Sequence, residues 1–379
     1  MSGRNQPLPG RPRVLFMGPL PPPDGGVSYL CRSLLETGLG EGLQLELLST
    51  GKGTPREDIG RVTATDVCSA IGCAVRLSGM LARFRPQIFH LATTANAAVY
   101  RDTAYMLLAR AFGARVLLNL HGSDDPVRPR WRRTHPPFVR FAATLADRIT
   151  VPTEGAASGL RNVYRSSRPV EVMRNTASIP ESLKTARSRA PNRSSGPRLT
   201  GIGRLSEAKG AWDLIRAMPG VLARFPDARL TWIGLGAYQR DDRHARQLVE
   251  ALELDGFVRL AGRLSDSDKF AVLADTDIFV LPSHTEGFPL ALAEAMGGGL
   301  PVVTTPVGGI PEIVLDPRNG LLTPLRDPAA LVEAVCRLWS DRDLMEQQGR
   351  ANAEFYDRVF DPRVAVRRIH ELYASMLTA

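Results

Sequence analysis

Twelve short apolar runs, spaced by segments of helical periodicity, constrain this chain more than any other feature. Six lie in the first half, at Val14–Met17, Leu43–Leu48, Gln87–Leu91, Arg115–Leu120, Arg148–Pro152 and Val170–Met173. The second half repeats the pattern at Arg198–Ile202, Arg229–Ile233, Val258–Ala261, Asp277–Leu281, Pro301–Thr304 and Gly320–Leu322. Runs of this length that carry apolar residues without strict alternation read as strands covered on both faces, and helices between them make the sheets parallel. Each half is therefore expected to form its own doubly wound α/β domain. The segment Ser188–Pro197, dense in Ser, Pro and Gly, reads as the linker, which puts the boundary between 1–190 and 191–355. The tail from about Phe355 to Leu377 is helical by periodicity and is broken at Pro362. Two open sheets facing each other leave a cleft at the carboxyl ends of their strands, where ligands bind in such folds.

A length of 379 residues suits two such domains, and 44% hydrophobic with 23% charged residues is an ordinary globular composition. The charge is less ordinary. Residues 1–190 hold 26 Lys+Arg against 14 Asp+Glu, a net of +12, whereas 191–379 hold 22 against 25, a net of −3. An excess of this kind in the first half suggests an anionic partner: an acidic membrane surface, an acidic substrate or nucleic acid. Only four of the 48 basic residues are lysines, Lys52, Lys184, Lys209 and Lys269, so each Lys stands out. Cys31, Cys68, Cys73 and Cys336 form neither a C-x2-C pair nor a group with His. They point to no zinc site and no disulfide framework, and a reducing cytoplasm is the expected home. The apolar stretch Val14–Met17 is too short for a secretory leader, and Ala104–Gly122 is interrupted by Arg110 and Arg115. No membrane-spanning helix is expected, so any membrane contact is peripheral.

Two stretches carry chemistry. Gly201-Ile202-Gly203-Arg204-Leu205-Ser206-Glu207-Ala208-Lys209-Gly210 follows the strand that opens the second half. It sets a glycine turn, a guanidinium and an ammonium at the mouth of a sheet, a set of groups suited to a diphosphate on which negative charge builds. The third glycine of a dinucleotide fingerprint is missing. The other stretch, Ser283-His284-Thr285-Glu286-Gly287-Phe288-Pro289-Leu290-Ala291-Leu292-Ala293-Glu294-Ala295-Met296, follows Asp277–Leu281. Pro289 suits the first helical position and Gly297–Gly299 ends the helix. The amides of Gly287, Phe288 and Leu290 then face outward at a helix N-terminus, ready for a phosphate or a developing anion. Glu286 and Glu294 are expected about 10 Å apart, at 1.5 Å rise per residue plus the loop. That is too far for a glycosidase pair acting on one bond, but it suits two ends of an extended ligand. Glu294 stands among Ala and Leu, and a buried carboxylate needs a partner.

In this order and each after a strand, the two stretches resemble glycosyltransferase family 4, whose fold is GT-B. The resemblance implies two Rossmann-like domains facing a central cleft, with a C-terminal helix, 356–379, packing back toward the N-terminal domain. It implies that Arg204 and Lys209 contact the donor diphosphate, Glu286 the donor sugar near its 3-hydroxyl, and Glu294 the ribose hydroxyls, while Gly203, Gly287, Phe288, Pro289 and Leu290 line the donor. In the first half, Gly25-Gly26 in the loop after Val14–Met17 resembles a double glycine that lets backbone approach the phosphates. His121, closing Arg115–Leu120, stands where relatives place a His reaching the donor sugar. His90 reads as structural. Asn175, in Arg174-Asn175-Thr176-Ala177-Ser178, departs from the turn relatives have there.

The activity implied is retaining transfer of a hexose from a UDP- or GDP-sugar to an acceptor hydroxyl, with no divalent metal and with Glu286, Arg204, Lys209 and His121 as catalytic candidates. His284 has no second His near it in sequence to make a metal site with Glu286. The Arg-rich loop at Arg128, Arg130, Arg132 and Arg133, with Trp131 and Arg140, suits an anionic, lipid-linked acceptor and contact with an acidic membrane. A small-molecule acceptor, a sugar-nucleotide epimerase and a phosphorylase remain alternatives on this fold. Nucleic-acid binding lacks any recognisable motif and is not expected.

Overall fold

The computed structural model describes residues 10–21, 25–50, 64–94, 98–121, 136–163, 168–187 and 195–378. They form two compact units, one made of residues 1–176 with 362–379 and the other of 177–361. Each holds a six-stranded sheet in which the named strands pair in parallel.

In the first unit the strands are β1 (Arg13–Gly18), β2 (Gln44–Ser49), β3 (Ile88–Thr94), β4 (Arg115–His121), β5 (Arg148–Val151) and β6 (Val170–Val172), in the order β2-β1-β3-β4-β5-β6. Alternate residues enter different cores. Leu15, Met17, Phe89, Leu91, Val116 and Leu118 pack on one face with Cys73, Leu77 and Leu81 of helix Ala64–Phe84 and with Tyr105 and Met106. Val14, Phe16, Ile88, Ala92 and Leu117 pack on the other with Leu30 and Leu34 of helix Gly26–Glu36 and with Ile369, Leu372 and Tyr373 of helix Pro362–Thr378. Burial on both faces is why these strands carry unbroken apolar runs such as Val14–Met17 and Val116–Leu118.

The second unit contains β7 (Arg198–Ile202), β8 (Arg229–Ile233), β9 (Val258–Gly262), β10 (Ile278–Leu281), β11 (Val302–Thr304) and β12 (Leu321–Leu322), ordered β12-β11-β10-β7-β8-β9. All twelve expected strands are present, with ends shifted by at most a few residues.

The chain passes from one unit to the other at Thr176/Ala177, not at the expected 190/191. Hydrogen bonds explain the difference. Ala177 N donates to Phe360 O at 3.2 Å, Tyr356 Oη donates to Ala177 O at 2.7 Å, and Arg187 grips Asp357 at 2.9 and 3.1 Å. Residues 177–187 and 356–361 thus belong with the second unit, and the expected boundary at 356 moves to Pro362. From Pro362 onward the last helix belongs to the first unit. There Tyr373 Oη lies 2.6 Å from His90 Nδ1, His370 Nε2 donates to Leu39 O at 2.9 Å, and Arg368 pairs with Glu171 at 2.5 Å.

Helix Ala64–Phe84 is long and apolar enough to cross a membrane by length and composition, with mean hydropathy 1.3 over its best window. Only its Cys73, Leu77 and Leu81 side enters the core. Its outer face shows Val67, Ile71 and Val75 at 50%, 59% and 67% exposure, an apolar ridge at i, i+4, i+8. Ala, Gly, Ser and Cys dilute this ridge in the sequence.

Candidate donor site

Three loops follow neighbouring strands β11, β10 and β7 at their carboxyl ends: residues 305–309, 282–289 and 203–210. They are fastened to one another by backbone. His284 N donates to Ala208 O at 2.9 Å and Gly309 N to Gly287 O at 3.0 Å, while Thr305 Oγ1 donates to Ser283 O. Two glycines permit this closeness. Gly210 has φ +69, and a Cβ there would meet Pro282 O at 1.9 Å; Gly308 has φ +55, and a Cβ would meet Glu286 O at 2.0 Å. A side chain at either position would push the loops apart.

Within this cluster the first motif meets the second. Lys209 Nζ donates to Glu286 Oε1 at 2.5 Å, and Ser283 Oγ donates to the same oxygen at 3.0 Å. The Glu286 side chain is 7% exposed and that of Lys209 29%. Arg204 is exposed, and nothing among the described residues pairs with its guanidinium. Gly203 is held from behind, its carbonyl accepting from Trp232 Nε1 at 3.1 Å. The two expected diphosphate cations are therefore unlike: Arg204 is free, whereas Lys209 is already engaged by a carboxylate.

Helix Leu290–Gly297 starts one residue later than expected, with Pro289 as its N-cap. Leu, Ala, Glu and Met fill it, all strong helix formers. No acceptor among the described residues takes the amides of Gly287, Phe288, Leu290 or Ala291, so the outward N–H groups of a helix N-terminus are available to an anion. Phe288 is buried against Phe360 at 5.5 Å between ring centroids and anchors the loop.

Glu294, one turn further on, has the partner its burial requires. Lys269 Nζ donates to Glu294 Oε1 at 2.6 Å and lies 3.4 Å from Asp266 Oδ1. Burial raises the Glu294 carboxyl above the ordinary range, with Lys269 acting against that; burial opposes the Lys269 ammonium too, but Glu294 and Asp266 outweigh it and hold its pKa high. Sequence reasoning missed Lys269, although its being one of four lysines was a signal. His284 is also accounted for: its Nε2 is 2.6 Å from Asp213 Oδ2, which ties the acidic loop to helix Ala211–Arg224.

In the first unit, His121 closes β4 as expected and is buried. Its Nδ1 is 2.8 Å from Asn175 Oδ1, which gives the departing turn at Asn175 a definite task. An amide oxygen only accepts, so Nδ1 carries the proton and Nε2 keeps a lone pair; that buried Nε2 has no partner among the described residues. Burial lowers the His121 pKa to about 4, against the Asn175 bond, so the ring is neutral near pH 7. His90 is buried with its pKa lowered to about 3, first by burial and then by His121. Its contacts, Tyr373 at 2.6 Å and the Phe16 ring at 4.7 Å, fit the structural role expected of it. Gly26 opens helix Gly26–Glu36, with Gly25 as N-cap. The loop Arg128–Arg133 lies outside the described residues, as do residues 22–24 and Gly122; Arg140 is exposed.

Comparison with known proteins bears on the family and the fold. The family model "Glycosyl transferases group 1" matches residues 196–341, and "Glycosyl transferase 4-like domain" matches 25–176. A GDP-mannose-dependent monoacylated alpha-(1-6)-phosphatidylinositol monomannoside mannosyltransferase of Corynebacterium glutamicum is 34% identical over 195 residues, which cover 49% of this chain and 50% of the relative. The match thus spans half the length of that enzyme. Among solved structures, sucrose-phosphate synthase from Thermosynechococcus elongatus superposes with a TM-score of 0.75 at 17% identity, covering 97% of this chain and 99% of that one. The Anabaena protein HepE, in complex with UDP-glucose, gives 0.69 at 17% identity over 96% of this chain and 100% of that one. With both domain models matched in chain order and both sheets as the fold requires, the chain belongs to glycosyltransferase family 4, the group 1 glycosyltransferases, and has their two-domain GT-B fold.

Proposed function

We propose that the chain transfers a hexose from a UDP- or GDP-sugar to a hydroxyl of an anionic, lipid-linked acceptor, with retention at the anomeric carbon. The observation that carries the reading is the joining of Arg204, Lys209, Glu286 and the unengaged amides of Gly287, Phe288, Leu290 and Ala291 by three fastened loops. Those groups combine a free guanidinium, a shared ammonium and a helix N-terminus, which stabilise a departing diphosphate. Glu286 faces the sugar.

The bond between the anomeric carbon and the phosphate oxygen breaks, and a bond from that carbon to the acceptor oxygen forms. The acceptor proton passes to the departing phosphate oxygen. Because protein groups carry the developing charge, the reading calls for no metal. His121, neutral and held through Nδ1 by Asn175, is the further catalytic candidate that the resemblance implies.

For the acceptor, support comes from the corynebacterial relative, whose name specifies a phosphatidylinositol glycolipid and a GDP-mannose donor. Charge supports it too: residues 1–176 with 362–379 again total 26 basic against 14 acidic, a net of +12 on the unit that bears the Val67, Ile71, Val75 ridge. An apolar ridge on a basic body suits the surface of an acidic bilayer. We therefore place the enzyme peripherally at the cytoplasmic face of a membrane, in glycolipid or polysaccharide synthesis.

A thermal-shift panel of UDP-, GDP- and ADP-sugars, followed by hydrolysis of the best binder, tests the donor reading. Stabilisation by one nucleotide, lost in Arg204→Ala, is the expected result. No response to any sugar nucleotide would overturn it.

A further inference from the structure

Seven of the twelve large apolar side chains exposed among the described residues belong to three neighbouring helices of the first unit. Helix Ala64–Phe84 carries the ridge described above. Helix Ala98–Ala111 adds Tyr100 and Leu107, with Phe112 just past its end, and helix Pro136–Thr144 adds Phe141, each between 42% and 46% exposed. On the middle helix Tyr100, Ala104, Leu107 and Ala111 are exposed at i, i+4, i+7 and i+11, a single stripe. The inner sides of the three helices, through Leu77, Met106 and Ala143, enter one core on one face of the sheet, and the middle helix touches both of the others. Their outer stripes therefore lie side by side. Exposed apolar residues scattered singly need no explanation, but a contiguous apolar face marks a surface that meets something.

Charge says what that is. The three helices hold five basic residues, Arg76, Arg83, Arg101, Arg110 and Arg140, against two acidic ones, Asp66 and Asp102, and Asp102 is buried. Arg76 follows Val75 and Arg140 precedes Phe141; both are exposed, and nothing among the described residues pairs with either. A second copy of the chain seated here about a two-fold axis would set like charges against one another. An anionic bilayer instead takes the apolar side chains into its interface and the guanidiniums onto its phosphates. We propose that these three helices form a platform that lies flat on an anionic bilayer, with Tyr100, Leu107, Phe112 and Phe141 entering the interface together with the ridge. This deepens the peripheral placement proposed above and rests on it. Helices that cover a parallel sheet run back along its strands, so a helix layer lying flat holds β3 and β4 along the plane of the membrane. The carboxyl ends of those strands, at Thr94 and His121, then open sideways along the surface, one helix layer above it, where the headgroup of a lipid-linked acceptor travels.

One native thiol supplies the first probe. Cys68 is exposed beside Val67 on helix Ala64–Phe84, whereas Cys31, Cys73 and Cys336 are buried. The full chain labelled at Cys68 with an environment-sensitive NBD group should gain emission about twofold and shift to the blue with vesicles containing phosphatidylglycerol, but not with phosphatidylcholine alone. In a Cys68→Ser background the same label placed through Leu107→Cys or Phe141→Cys should respond likewise. Placed through Leu47→Cys it should stay silent, because Leu47 is exposed on edge strand β2 on the side of Leu45, which packs with the opposite core. Arg76→Gln combined with Arg140→Gln should weaken vesicle binding about twentyfold, and less at high salt. A response at Cys68 alone would leave the single ridge as the contact and overturn the platform. A blue shift at Leu107→Cys or Phe141→Cys that follows protein concentration without vesicles would assign the face to a second copy and overturn it as well. Absence of vesicle binding by the wild type overturns instead the peripheral placement on which the inference rests.

Discussion

Lys209 and Glu286, 77 residues apart in the chain, meet through a 2.5 Å hydrogen bond between the carboxyl ends of adjacent strands β7 and β10. In the proposed reading, a ligand diphosphate shares Lys209 with that carboxylate. Lys209→Ala should lower kcat by about 10²–10³-fold, the scale of losing one group that stabilises developing negative charge, with a smaller change in KM. Glu286→Gln should lower kcat in a non-additive way with Lys209→Ala, since the two act as a pair. Steady-state kinetics of both single variants and the double variant check this; strictly additive losses would show that the pair has no joint role.

His121 with its pKa near 4 should contribute no limb to the pH–rate profile between pH 5 and 8. Asn175→Leu removes the acceptor that fixes Nδ1–H, so kcat should fall about tenfold while the profile keeps its shape above pH 5. A limb near pH 6 that vanishes in His121→Gln would contradict a neutral imidazole.

Both buried imidazoles also bear on acid stability. His90 and His121 have folded-state pKa values of about 3 and about 4 against 6.5 when unfolded, so below pH 6.5 the unfolded chain binds the extra protons. Stability should therefore fall as pH drops from 6.5 toward 4, by about 1.4 kcal/mol per pH unit for each group. His90→Gln should reduce that slope by one proton's worth in denaturant titrations at pH 6 and 4.5. An unchanged slope would mean that His90 titrates normally.

Ile369, fully buried on the last helix, closes the face of the first sheet formed by Val14, Phe16, Ile88 and Leu117. Ile369→Ala should cost about 2–4 kcal/mol. Although the residue lies near the chain end, the loss should register in the first unit, which hydrogen exchange on β1 and β3 can read.

On helix Ala64–Phe84, replacing Val67, Ile71 and Val75 together with Ser removes the ridge without touching Cys73, Leu77 or Leu81. Flotation with vesicles containing phosphatidylglycerol should fall at least about tenfold, with Tm within about two degrees of wild type. Equal flotation of both proteins would assign membrane contact elsewhere, and no flotation of either would favour a small-molecule acceptor.

Much of the fold was legible in sequence because a strand buried on both faces needs an apolar run, as Val14–Met17 of β1, Val116–Leu118 of β4 and all of β10 show. The two donor motifs were legible because the Gly-Arg-Leu and Glu-Gly-Phe-Pro turns are local, whereas the close approach of Pro282 to Gly210 and of Glu286 to Gly308 was not. What escaped were relations among distant residues. Asn175 looked like a departure until it met His121, Lys269 looked like an isolated basic residue until it met Glu294, and the ridge on helix Ala64–Phe84 was diluted by small residues. The linker composition of 188–197 drew the boundary too late, since no local signal reports that Arg187 will grip Asp357.

By itself the sequence determined the twelve strands, their parallel grammar and the two chemical motifs, because periodicity and turn chemistry act over a few residues. Tertiary structure alone decided which carboxylate each lysine neutralises, which nitrogen of His121 bears the proton, and that the last helix belongs to the first unit. Those outcomes depend on burial and on hydrogen bonds between residues far apart in the chain, where the cost of leaving a buried charge or polar atom unpaired selects the partner.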